Sequence, residues 1–310
     1  MTAVDYLNLL ISALLLAGIY AAMAVGMTVI YGVMKIVNLA HAGFLMLGAY
    51  FAYEVFNRFH IPPVLCAVLA LPVFFVFGAG VHWLLARRLP KSDTPTLSSL
   101  LLMFGFWQVL QNVGYLVWGT QAYSILTPLT FSSVRFGEIT IPKVNLVVFA
   151  AALVSLFLLQ VIFNRSWFGR SMRSLIQNPY AAQIVGVDDR RTAMLTFGLG
   201  TAFAGFAGAL LAILFPFTPD FGAAFQLRAF VIIVLGGLES VSGVALGAVI
   251  LAFLETFSIN VPFPWYSHGW TSVYLPASYQ PVVSFVLLVV ALLVLPKGVA
   301  GLLEKKWRAA

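Results

Sequence analysis

Apolar runs close to 20 residues long recur from one end of this 310-residue chain to the other. Each is long enough to cross a hydrocarbon core of roughly 30 Å. Inside a bilayer only helices and closed barrels satisfy their own backbone groups. Barrel strands alternate in polarity, whereas these runs are continuous. The expected fold class is therefore all-α: a polytopic transmembrane helical bundle of about eight to ten spans, some of them broken or re-entrant. The chain is 62% hydrophobic and 9% charged, against about 25% charged in an ordinary soluble domain. No polar stretch is long enough to bury a core of its own, so residues 1–310 read as a single membrane domain. The N-terminus, MTAVDYLNLL, lacks a basic leader and its apolar run is too long for a signal core, so the first run is read as a retained span.

The spans fall near residues 9–34, 42–57, 62–86, 97–118, 144–163, 192–215, 243–258 and 282–296, with a weaker apolar segment at 223–237. The net charge of +7 is the positive-inside bias of a membrane protein, not a nucleic-acid surface. Alternating the spans puts thirteen of the seventeen basic residues on one face: Lys35, Arg87, Arg88, Lys91, Arg165, Arg170, Arg173, Arg190, Arg191, Lys297, Lys305, Lys306 and Arg308. That face is assigned to the cytoplasm, with the N-terminus periplasmic and the C-terminus cytoplasmic. Arg58, Arg135 and Lys143 lie opposite, and Arg228 is unassigned. The parity requires 223–237 to cross; eight spans plus a re-entrant segment is the alternative. The polar stretch 119–142 carries turn signals at Pro128, Gly137 and Pro142, and 259–281 is rich in Pro, Trp and Tyr. The single cysteine, Cys66, excludes an internal disulfide and reads as a small core residue.

Two places depart from simple spans. In residues 29–50, Lys35, Asn38 and His41 interrupt apolar sequence punctuated by Gly32, Gly43 and Gly48. In residues 230–250, Glu239 follows Gly236 and Gly237 and precedes Gly243 and Gly247. Breaks of this kind in corresponding positions of two halves point to a transporter's pathway. Asn38, His41, Gly43, Gly236, Gly237, Glu239 and Gly243 are the resulting candidates. Asn38 and His41 either line a polar path or bond across helices. Glu239 is either a pathway carboxylate or part of a short cytoplasmic turn. Glu54 and Glu255 lie toward the outer ends of their spans and are expected to reach the interface. Gly205 and Gly208 are read as close-packing positions.

Absent motifs narrow the function. There is no GxxxxGK[ST] phosphate loop, no HExxH or paired-cysteine metal motif and no GxSxG elbow. No chain of acidic residues and no arginine ladder runs through the spans. No cofactor is expected.

Between two long spans lies NRSWFGRSMRSLIQNPYAAQIVGVDDRR, residues 164–191, with five arginines and two aspartates. Asn178-Pro179 signal a helix start and Gly186 a helix end. Residues 174–186 thus offer a short cytoplasmic helix on which Ala181 and Ala182 would let a partner surface approach closely. The flanking arginines would meet acidic rims of that partner or lipid headgroups.

The chain resembles the inner-membrane permeases of branched-chain amino acid ABC importers, specifically the first, H-type, permease. Four segments carry the resemblance over nearly the whole length: VNLAHAGFLMLGAY (37–50), GRSMRSLIQNPYAAQIVGVDDRR (169–191), AFVIIVLGGLESVSGVALGAVI (229–250) and LPKGVAGLLEKK (295–306). The second is similar to the family's cytoplasmic coupling loop, with Gly169, Arg173, Asn178, Pro179, Ala182, Gly186 and Val187 on matching positions. Two departures stand out: Ala42 separates His41 from Gly43, and Glu239 stands where small residues are usual. Both bear on the substrate, since related importers carry urea, short amides or aromatic acids.

The resemblance implies an importer subunit that pairs with a second, homologous permease, binds two cytoplasmic ATPase subunits and receives substrate from a periplasmic binding protein. ATP hydrolysis would reside in those ATPases, so the chain itself is not expected to be an enzyme. The alternative class is an ion-coupled secondary transporter or channel for a small polar solute.

Overall fold

The computed structural model describes residues 2–88, 95–238, 240–260, 276, 279–294, 298–299 and 301. Lys91, Glu239, most of the Pro/Trp/Tyr-rich loop and the tail residues Lys297, Lys305, Lys306 and Arg308 lie outside them. The described chain is mostly helical, with one small hairpin and irregular connections. Its helices are α1 (Ala3–Met34), α2 (His41–Phe59), α3 (Pro63–Leu84), α4 (Pro95–Trp118), α5 (Lys143–Arg165), α6 (Trp167–Gln177), α7 (Pro179–Ile184), α8 (Asp189–Leu214), α9 (Phe221–Gly236), α10 (Val241–Asn260) and α11 (Gln280–Val294). Nine of these follow the expected spans and the weak apolar segment closely. The exception is the start of α1, where the Thr2 hydroxyl and the Asp5 carboxylate cap each other's backbone amides and carry the helix six residues further out. Six helices are long and apolar enough to cross a membrane: those that begin at Ala3, Pro63, Leu97, Lys143, Asp189 and Val241.

The stretch 119–142 holds an antiparallel hairpin that the sequence reading missed, β1 (Ser133–Phe136) and β2 (Ile139–Pro142). The turn signal at Gly137 marks its tip, where φ is +62°. The Asn8 side chain accepts from the Thr140 amide at 3.3 Å and ties the hairpin to α1.

Helix α8 is the centre of the bundle. Every residue from Thr196 to Ile213 is buried, and α1, α2 and α3 pack around it. Glycine makes this close approach possible. A Cβ at Gly48 would collide with the Gly205 carbonyl, and one at Gly208 with the Leu45 carbonyl, so α2 and α8 touch backbone to backbone. Helices α4, α5 and α11 sit outermost and turn large apolar side chains outward, among them Leu116, Phe157 and Leu293. Gly48→Val should therefore force the two helices apart and destabilise the fold by about 1–3 kcal/mol or more. Gly80→Val should leave stability unchanged, because nothing stands within 4 Å of a Cβ there. Thermal unfolding of the two purified variants separates these outcomes. Equal midpoints would show that α2 and α8 are not held at glycine contact.

Candidate functional site

The first break in the helical pattern is a connection that folds back into the protein. α1 ends on Lys35 in a left-handed conformation, φ +54°. His41, the first residue of α2, places Nε2 3.0 Å from the carbonyl of Met23. Met23 lies eleven residues before the end of α1, about 16 Å of helix. Residues 35–40 therefore double back along the inner third of α1 before α2 begins. Asn38 and His41 are completely buried. Gln226 of α9 donates to the Asn38 carbonyl at 3.4 Å. The Asn38 amide, His41 Nδ1 and Gln226 Oε1 have no hydrogen-bond partner among the described residues. Gly43 lies in the first turn of α2, where a Cβ would strike the Leu110 side chain of α4.

The second break stands at the far end of α9. Gly236 and Gly243 face each other so closely that a Cβ on either would strike the other's carbonyl. Gly237 adopts φ +106°, ψ 122°, a conformation open only to glycine. Glu239 lies outside the described residues. Helix α9 thus runs between the two breaks: Gln226 meets the first and Gly236 closes onto the second.

Sequence reasoning misplaced Glu255 and left Arg228 unassigned. Glu255 does not reach an interface. It is completely buried, and Arg228 Nε lies 3.0 Å from its Oε1 and 3.1 Å from its Oε2. The Tyr20 hydroxyl donates to the same carboxylate at 2.6 Å, and so does the Ser284 hydroxyl. Arg228 also donates to the Ala224 carbonyl at 3.2 Å and to Gln280 Oε1 at 3.4 Å. One network therefore ties α1, α9, α10 and α11 together inside the bundle. The signal was present: two lone, opposite charges on two otherwise apolar helices are expected to find each other.

Residues 164–191 form a corner of two helices, not one. Ser166 caps α6, accepting from the Gly169 amide at 2.8 Å. Gly169 sits against the carbonyls of Ile162 and Phe163, where no Cβ would fit. Arg173 points inward: it donates to the Phe163 carbonyl and lies over the Phe163 ring, which fastens α6 beneath the end of α5. The expected helix start holds, since Asn178 accepts from the Ala181 amide at 3.0 Å and Pro179 is the first residue of α7. Gly186, at φ +87°, closes the turn.

The face of α7 differs from the expectation. The Ala182 methyl is turned inward and 3% exposed, whereas Tyr180, Ile184 and Val185 are about three-quarters exposed, at 76%, 75% and 77%; Ala181 is exposed as well. The outward face is thus an apolar knob, not a small-residue surface. On the inner side Ile176 of α6 reaches the last turns of α1 at Gly32. The corner therefore rests against the helix whose end begins the doubled-back connection.

The family match and the similar permeases cover nearly the whole chain. A family described as branched-chain amino acid transport system / permease component matches residues 9–292. The chain is 27% identical over 310 residues to the high-affinity branched-chain amino acid transport system permease protein LivH of Salmonella typhimurium, covering 96% of each. It is 28% identical over 305 residues to the probable branched-chain amino acid transport permease protein LivH of Methanocaldococcus jannaschii, covering 95% of this chain and 92% of that one. A solved structure, PsaBC from Streptococcus pneumoniae in complex with Fab, is 12% identical with a TM-score of 0.42, covering 92% of this chain and 91% of its own. The chain belongs to the family of permease components of branched-chain amino acid transport systems.

Proposed function

We propose that this chain is the membrane-spanning permease of an ATP-driven importer for branched-chain or related amino acids. It would form half of the translocation pathway, with a second homologous permease supplying the other half. Two cytoplasmic ATPase subunits would drive it, and a periplasmic binding protein would load it. The observation that carries the reading is the cytoplasmic corner. An apolar knob of Tyr180, Ile184 and Val185 stands clear of the bundle, on a base fastened to α5 through Arg173 and resting on α1 through Ile176. A soluble motor that grips the knob would push on the helix that runs into the doubled-back connection at residues 35–40.

The competing class is an ion-coupled carrier, which needs a membrane carboxylate free to exchange its ion. Glu255 is buried deeply enough, but Arg228, Tyr20 and Ser284 already occupy its oxygens. Reconstitution with the partner permease, the ATPases and the binding protein should give leucine uptake that requires ATP and resists proton and sodium ionophores. Uptake that persists without ATP and collapses with an ionophore would favour the carrier instead.

The chain would lie in the bacterial inner membrane in one orientation. The 164–191 segment would face the cytoplasm, and the N-terminus and the hairpin would face the periplasm. In a Cys66→Ala background, Ser133→Cys should react with an impermeant thiol reagent in intact cells, and Gln177→Cys only after the cells are opened. Equal labelling of both in intact cells would reverse the assignment.

A further inference from the structure

We propose that the buried N-terminus of α2, together with Asn38 and Gln226, is a binding site for the charged backbone groups of an α-amino acid zwitterion. The proposal rests on the importer reading and specifies what its pathway recognises.

The donors are backbone amides at the start of α2. The residue ahead of α2 is Ala40, which offers no side-chain cap. The His41 amide bonds to the Asn38 carbonyl and the Phe44 amide to the Ala40 carbonyl. The amides of Ala42 and Gly43 are left without a partner among the described residues. Both residues are buried. A 19-residue helix concentrates roughly half a positive charge at this end. Two unpaired amides there form a ready seat for a carboxylate.

The acceptors are side-chain atoms of Asn38, His41 and Gln226. The His41 Nε2 faces a carbonyl, which can only accept, so Nε2 carries the proton and Nδ1 is a bare acceptor. Gln226 Nε2 likewise faces the Asn38 carbonyl, which leaves Oε1 as its free acceptor. Asn38 is completely buried, and neither polar atom of its side chain is bonded. Groups of this kind are almost always paired in folded proteins. The unpaired acceptors Asn38 Oδ1, His41 Nδ1 and Gln226 Oε1 call for a donor-rich group such as an ammonium, and the unpaired Asn38 Nδ2 adds a donor for the carboxylate.

The two halves lie together: Asn38 stands three residues before His41, and Gln226 reaches Asn38 directly. The ensemble carries no formal charge, which suits a ligand that is itself neutral overall but charged at both ends. A lone carboxylate or a lone amine would bring net charge to membrane depth. Arg228, two residues along α9 from Gln226, is tied to Glu255 and so does not compete for the carboxylate. Every group is buried in this conformation, so binding belongs to the step of the cycle in which the connection at residues 35–40 moves.

The test uses the complete importer, with its binding protein and ATP, carrying Cys66→Ala and Asn38→Cys. Labelling of residue 38 by N-ethylmaleimide during turnover should slow about tenfold with leucine at about ten times its dissociation constant, since protection scales with occupancy. Leucinol, which lacks the carboxylate, and 4-methylpentanoate, which lacks the ammonium, should not protect. Gln226→Met should cut leucine uptake about tenfold at unchanged assembly, and Gln226→Asn, which keeps a neutral amide with its donor and acceptor, should retain more of it. Equal protection by all three compounds, or wild-type uptake by Gln226→Met, overturns the site. Should the Asn38→Cys protein not assemble, the contrast between Gln226→Met and Gln226→Asn decides alone. A wild-type importer that moves no amino acid overturns the functional reading instead, and the two failures are thereby distinct.

Discussion

Replacing Glu255 with leucine is expected to cost the fold about 3–5 kcal/mol, enough to deplete the protein from the membrane, because it leaves Arg228 buried and unpaired. Arg228→Met should be nearly as damaging, since a carboxylate at 0% exposure would then keep only hydroxyl donors. The double variant, Arg228→Met with Glu255→Leu, should recover most of the loss. Removing both charges of a buried pair together is often neutral, because the desolvation cost goes with them. The measurement is thermal unfolding of the purified permease, arranged as a double-mutant cycle. Losses that simply add in the double variant would show that the two residues do not act as a pair. A recovered fold with intact leucine uptake would identify the pair as a structural fastening of α9 to α10 and α11. A recovered fold without uptake would place the charges in the transport cycle itself.

The network also shows where sequence reasoning stops. The spans were legible because an apolar run of about 20 residues has one physical meaning in a chain this poor in charge. The breaks at residues 35–43 and 236–243 were legible because glycine and polar residues have few tolerated places at membrane depth. Glu255 was misread because its distance from a span end was measured along the chain. Its real environment is set by α1, α9 and α11, which no local pattern reveals. The hairpin at 133–142 was missed because its two strands are four residues each, too short for alternation to emerge. Ala182 was given the wrong face for a related reason. A helix of six residues spans fewer than two turns, so its inward side cannot be read from periodicity. What turned it was the preceding helix α6, whose buried Met172 and Leu175 dock the corner on the bundle. Asn178, Pro179 and Gly186 were read correctly because each signals through its own backbone chemistry, not through a neighbour.

The inward turn of Ala182 decides which substitution tests the proposed ATPase contact. Ala182→Arg would push a long side chain into a space that is 3% exposed, and the corner itself would fail. Loss of the ATPase from such a protein would say nothing about who touches whom. Ile184→Arg is the clean variant, since that side chain is 75% exposed and the permease alone gains nothing from it. If the ATPase buries this knob, an unmatched charge there should cost about 2–5 kcal/mol. The corresponding loss of affinity is roughly 30- to several thousand-fold, so the ATPase should no longer co-purify with the permease. The permease's own unfolding midpoint should not move. Gly186→Pro should behave in the opposite order. Proline cannot adopt φ near the observed +87°, so the turn after α7 must rearrange and the permease itself should be destabilised. An Ile184→Arg importer that keeps its ATPase and drives leucine uptake at the wild-type rate would show that the motor grips another surface. The proposed route of force through α6 into α1 would fall with it.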